Sequence, residues 1–105
     1  MAQFDVYKNT SKKSKAAYPL LVDIQNSIID NLSTRLVIPL AMRSNLRSLK
    51  ANRLTPSIDH EGEIYLLFTP QMTSIQSDLL VSPIGTLEAH RDSIINAIDF
   101  AITGI

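Results

Sequence analysis

The side chains that could do chemistry are few and scattered. The sequence holds two histidines, His60 and His90, and no cysteine. Neither histidine has a second histidine or a cysteine at the spacing a metal site needs. Asp23, Asp30 and Asp59 could be gathered by folding, but their spacing carries no motif. Three glycines, at 62, 85 and 104, are too few for a phosphate-cradling loop, and no nucleophile elbow is present. The chain is therefore expected not to be an enzyme and to need no cofactor or metal; a protein–protein interaction role fits better. Two basic clusters remain. Lys8, Lys12, Lys13 and Lys15 flank a polar stretch, and Arg43, Arg47, Lys50 and Arg53 recur at near-helical spacing. Either could touch phosphate, but each reads first as a solvated face.

The element that must organise these residues is the stretch Leu87 to Ile105, LEAHRDSIINAIDFAITGI. Leu87, Ile94, Ile98, Ala101 and Ile105 are spaced as one apolar stripe on a helix. Ile95, Ala97 and Ile102 widen the stripe. Thr86 can cap the start through its hydroxyl, and Glu88 is a favourable anion in the first turn. A helix is expected over Leu87–Thr103, since nothing inside it is Gly or Pro. Asp92, Asn96, Asp99, Phe100 and Thr103 fall on the opposite face, so Phe100 is expected to point away from the core. Asp99 sits where the helix dipole disfavours an anion, and no Lys or Arg follows Arg91. One reading is a tolerated surface acid and aromatic; the other is a helix end that contacts a basic partner.

Upstream, strands are expected at Gln3–Lys8, Tyr18–Gln25, Arg35–Leu40, Ser57–His60, Ile64–Thr69, Met72–Ile75 and Asp78–Val81. Phe4 and Val6 face one side of the first strand, and Asp5 and Tyr7 the other. Asn9–Ala16 lacks periodicity and reads as a loop. Asn26–Thr34 reads as an irregular connection carrying the apolar pair Ile28-Ile29. Pro39 cannot donate to a ladder, so its strand should end, bulge or lie at an edge there. Ala41–Leu54 is ambiguous between a short helix and a long loop. His60-Glu61-Gly62-Glu63 reads as a hairpin turn, and Ser82–Gly85 as the turn into the helix. Strands first and a helix last suggest a mainly β fold: a strongly bent antiparallel sheet or small barrel with the helix packed on it.

At 105 residues, residues 1–105 make one small domain with a modest core, which dimerisation would help. Ten basic and ten acidic residues cancel, leaving no global field to draw the chain onto nucleic acid or a membrane surface. No apolar run is long enough to span a bilayer, and MAQFDVYKN has no signal-peptide core, so a cytoplasmic location is expected.

FDVY at 4–7, LVDIQ at 21–25, IID at 28–30, RLVIPLA at 35–41, MTSI at 72–75 and the terminal helix with Gly104-Ile105 resemble the CcdB toxins. These are the toxin halves of bacterial type II toxin–antitoxin modules, and the resemblance covers almost the whole chain. It implies a homodimer with an SH3-like barrel core, a small accessory sheet and a C-terminal helix. It implies DNA gyrase A as target, trapped on cleaved DNA, and a CcdA-like antitoxin whose disordered segment folds on binding. DNA would be met only through gyrase or the antitoxin complex. Gly104 and Ile105 match the terminal pair that the family uses against gyrase, and Ile28 and Ile29 match the apolar pair beside it. Three positions depart from the best-known member: Thr103 stands for a tryptophan, Ile102 for another aromatic and Asp99 for an asparagine. Phe100 could supply aromatic area one helical step away, and Asp99 could pair with a cation. The resemblance thus implies a gyrase-binding set of Ile28, Ile29, Asp99, Ile102, Thr103, Gly104 and Ile105. Two other readings stay open: a small barrel that binds nucleic acid through its basic loops, and an inactive toxin homologue that acts only as an antitoxin sink.

Overall fold

The structure, a computed structural model, describes residues 2–26, 33–46 and 50–104. Seven strands precede one α-helix: β1 Asp5–Lys8, β2 Leu20–Asp23, β3 Thr34–Met42, β4 Ser57–His60, β5 Glu63–Leu67, β6 Thr73–Gln76, β7 Gly85–Thr86 and α1 Arg91–Thr103. Every pairing is antiparallel. The strands follow the order β4-β5-β3-β2-β1-β7, and β6 joins by pairing with β3. The sheet curls into a half-barrel with the helix on it, as the strand-then-helix order suggested.

Successive strand residues point to opposite faces, and this splits neighbours between two cores. Phe4, Val6, Leu20, Val22, Ile38 and Leu40 enter the larger core, which also takes Leu87, Ile94 and Ala97. Tyr7, Leu21 and Val37 turn the other way and join Leu80 in a smaller cluster. β2 is buried along its whole length for this reason.

β3 is the hub. One edge pairs with β2 from Leu20↔Leu40 to Asp23↔Val37. The other edge is shared in sequence, first by β6 from Thr34↔Gln76 to Val37↔Thr73, then by β5 from Leu40↔Leu67 to Met42↔Tyr65. Pro39 neither ends this strand nor puts it at the edge of the sheet, two of the three outcomes expected for it. Its carbonyl accepts from the Phe68 N–H at 2.9 Å, on the side where β6 has stopped and β5 has not begun. The missing proline donor faces that same gap, so no ladder bond is lost.

The segment Asp78–Val81 is not a strand either. Ser77–Leu79 forms a 3-10 turn, with Ser77 N–H on the Ser33 carbonyl at 2.8 Å. β6 ends at Gln76, opposite the first residue of its partner strand, Thr34. Of Ala41–Leu54, Ala41 and Met42 extend β3 and Arg43–Asn45 make a 3-10 turn. The loop after β1 is built around Asn9, whose Nδ2 donates to Ser14 Oγ at 2.9 Å and to the Tyr18 carbonyl at 2.8 Å. The β4–β5 hairpin turns at Glu61 and Gly62, both with positive φ, the geometry of a two-residue primed turn.

The two ends of the strand order, β4 and β7, meet side-on. A Cβ at Gly85 would lie 2.7 Å from His60 Cε1, so only glycine admits this approach. Beside it, His90 Nε2–H donates to the Asp59 carbonyl at 3.1 Å. His60 and His90 thus both lie where β4 comes alongside β7 and the start of the helix. Among the described residues no group of three or more His, Cys, Asp or Glu could hold a metal ion.

Candidate functional site: the end of the helix

The chain enters α1 through a 3-10 turn at Glu88–His90, so the α-helix begins at Arg91 and not at Leu87. Thr86 Oγ1 accepts the Glu88 N–H at 3.2 Å, a bond that braces the approach to the 3-10 turn. It does not cap the α-helix as the sequence suggested: His90 is the N-cap, with no side-chain capping bond. Ile94 and Ala97 are fully buried, and Ile95 and Ile98 pack half-buried against the same core. Beyond Ile98 the apolar stripe fails. Ala101 is exposed and Ile102 is 72% exposed, although both were expected on the buried side. Ile98 is the last helix residue packed against the core among the described residues. This leaves Asp99, Ala101, Ile102, Thr103 and Gly104 all open to solvent.

Two local bonds shape that turn. Gly104 takes φ +73°, and its N–H donates to the Phe100 carbonyl at 2.9 Å. This is a left-handed helix cap, which glycine adopts without a Cβ penalty. Thr103 Oγ1 donates back to the Asp99 carbonyl at 2.7 Å. Of the expected site residues, Asp99, Ile102, Thr103 and Gly104 thus lie together in the last residues of the helix and its cap. Ile28, Ile29 and Ile105 lie outside the described residues.

The outward face has a companion that the helix sequence does not reveal. Arg53, from the loop before β4, donates from Nε to Asn96 Oδ1 at 3.0 Å. Its guanidinium carbon lies 4.7 Å from the centroid of the Phe100 ring. Phe100 does point away from the core, but Arg53 covers it. The cation missing from the helix C-terminus comes from another part of the chain. The readable signal was Asn52-Arg53-Leu54-Thr55, a stretch with Asx-turn chemistry.

A second polar unit lies beneath the sheet. Arg35, 1% exposed, places Nε at 3.0 Å and Nη2 at 2.8 Å from Oδ2 of the fully buried Asp23. The Gln25 backbone completes the unit: its N–H donates to Asp23 Oδ1 at 2.9 Å, and its carbonyl accepts from Arg35 Nη2 at 3.2 Å. Burial pushes the Asp23 carboxyl above the ordinary aspartate range, against the pull of the Gln25 N–H and the Arg35 guanidinium. Next to it, Phe4 holds a positive φ of 73°, unusual for an aromatic residue. Its N–H donates to the Asp23 carbonyl, and its carbonyl accepts the Leu87 N–H at 2.8 Å. Asp23, Asp30 and Asp59 are not assembled into an acidic site. Asp23 is committed to Arg35, Asp59 is exposed on β4, and Asp30 lies outside the described residues.

The fold defines a class first: a small, curled, mainly β domain with one C-terminal helix whose last residues are exposed. The family follows from comparison. The family model described as CcdB protein matches residues 3–104, nearly the whole chain. The chain belongs to the CcdB family, whose members are toxins of the toxin–antitoxin type that poison gyrase without acting as catalysts. The family in general has gyrase and CcdA antitoxins as partners. Among the described residues no helix is long and apolar enough to cross a membrane.

Proposed function

We propose that this chain binds the A subunit of DNA gyrase through the last turn of α1, traps the cleaved DNA–gyrase complex and arrests growth. A CcdA-like antitoxin neutralises it, and the setting is the bacterial cytoplasm. The observation that carries this reading is the exposed last turn, where Ile102 is 72% exposed between Ala101 and Thr103, both also exposed. An apolar side chain left largely exposed on a helix is suited to burial against a partner. Asp99, Ile102, Thr103 and Gly104 form the contact set, and family resemblance adds Ile28, Ile29 and Ile105. The working species is a symmetric homodimer, since a two-fold target such as a gyrase A pair is best met by a two-fold ligand.

The deciding experiment is expression in a susceptible bacterium, with and without a gyrase A substitution that confers resistance to CcdB. Arrest that the substitution relieves supports the reading; arrest in both strains removes gyrase as the target. No arrest in either strain favours the antitoxin sink. Deleting Gly104-Ile105 should abolish arrest while the melting curve stays close to that of the parent, because Leu87, Ile94 and Ala97 remain in the core. Sedimentation at micromolar concentration should give a dimer, and a monomer alone would exclude the symmetric arrangement.

A further inference from the structure

The loop that carries Arg53 is built around one atom. Asn52 Oδ1 accepts the Leu54 N–H at 2.8 Å, the Thr55 N–H at 2.9 Å and the Thr55 hydroxyl at 3.1 Å. The Asn52 N–H closes the turn on the Thr55 carbonyl at 3.3 Å. An asparagine oxygen with three donors fixes the backbone of such a turn. Arg53 reaches from it across the outward face of α1. Asn96 and Phe100 are four residues apart, so the guanidinium bridges one helical turn between them. The bond to Asn96 uses Nε, and neither Nη makes a hydrogen bond to a described residue.

This is an ordered, solvent-exposed arginine. Its backbone is set by Asn52, its Nε by Asn96 and its plane by the Phe100 ring. Much of the rotamer entropy that an arginine loses on binding is therefore already lost in the free chain. What it presents outward is two Nη groups, whose planar geometry matches both oxygens of a carboxylate. The acids on the same outward helix face, Asp92 and Asp99, do not use it in the free protein: Arg53 makes no ion pair with a described residue. Asp99, Thr103 and Gly104 follow directly along the helix from Asn96 and Phe100.

We infer that Arg53 is a further partner-binding residue: held over Asn96 and Phe100, it offers its two Nη groups to a carboxylate of the protein that the last turn of α1 binds. This rests on the gyrase reading above and adds a residue from a different part of the chain to the contact surface. The partner chemistry it specifies is an acidic side chain, met by a planar fork. A lysine could supply the charge there but not the two parallel bonds.

The test is the affinity of the full chain for a purified gyrase A fragment, measured by calorimetry for the parent, Arg53→Lys, Arg53→Ala and Arg53→Glu. Each variant is also melted. Arg53→Ala should bind about tenfold more weakly and Arg53→Glu about a hundredfold, with Arg53→Lys between the parent and Arg53→Ala. Added salt should weaken the parent more steeply than Arg53→Ala. Melting points should stay within about 2 °C of the parent, as for most exposed substitutions. Arg53→Glu binding as tightly as the parent overturns this inference and leaves the gyrase reading intact. A parent chain that does not bind the fragment overturns both. Loss of affinity that tracks a large drop in melting point, in Arg53→Lys as well, overturns the contact role and makes Arg53 a purely structural brace.

Discussion

The two halves of α1 obey opposite rules. From Ile94 to Ile98 the helix is part of the core, with Ile94 and Ala97 fully buried against residues of β1, β2, β3, β4 and β5. From Asp99 to Gly104 every side chain except the Phe100 ring under Arg53 faces solvent. The composition hardly changes across that boundary: Ile94, Ile95, Ile98 and Ile102 are the same residue type. What changes is packing against the core, which ends at Ile98 among the described residues. Apolar side chains thus hold the first half in place, and the same chemistry in the second half is left available for a partner.

The comparison can be broken most severely from its buried side. Arg35→Met should cost about 3–5 kcal/mol, because Asp23 would keep its burial and lose its cation. That loss should show in chemical denaturation at neutral pH, and it carries a pH signature. Burial holds the folded Asp23 value above the ordinary 3.8. Between those two values the folded state holds more protons than the unfolded state. The stability contribution is therefore full below the unfolded value and is lost as pH rises through the folded one. In Arg35→Met the lowering effect of the guanidinium is gone, so this fall should be larger and extend to higher pH. A variant whose stability instead rises with pH over that range would contradict the assignment.

Ile94→Ala comes next, at about 3 kcal/mol, from lost transfer energy and a cavity between α1 and the sheet. The equivalent change one face away and two turns on, Ile102→Ala, should leave stability within about 0.5 kcal/mol. Yet Ile102→Ala should weaken growth arrest, and Ile94→Ala should do so only as far as it lowers the folded fraction. Equal effects of the two on denaturation would erase the distinction between the halves. The finest test is Asp99→Asn. It should stabilise the free chain by about 0.3 kcal/mol, by removing an anion from the negative end of the helix. The same change should reduce toxicity if the acid meets a cation on the target. Opposite signs in a melt and a growth assay would mark a residue kept for binding.

Much of this was legible in the chain itself. Period-two alternation around Phe4, Val6 and Tyr7 named the two faces of β1, and the apolar spacing from Leu87 to Ile98 named the buried face of the helix. Both are local patterns, and a local pattern reports which way a side chain points relative to its neighbours. The errors came where the outcome depends on what lies opposite. Pro39 is tolerated in mid-strand because β6 and β5 exchange places beside it. Asp78–Val81 is apolar enough for a strand, but the chain turns at Ser77–Leu79, where the pairing of β6 with β3 has reached Thr34, the first residue of β3. Ala101 and Ile102 continue the helical period past Ile98, the last helix residue packed against the core among the described residues.

The site divides in the same way. That the helix end carries Asp99, Ile102, Thr103 and Gly104 on one exposed turn follows from their adjacency in the sequence. That Gly104 is needed for a left-handed cap, and that Arg53 lies over Phe100 some forty-seven residues before it, does not. Sequence by itself determined which residues prefer water, which prefer each other, and which can bend the backbone, because those are properties of side chains and short spans. Only the tertiary structure decided which of the apolar residues found a surface to cover. Burial requires a second element in the right place, and that place is set by the whole strand order.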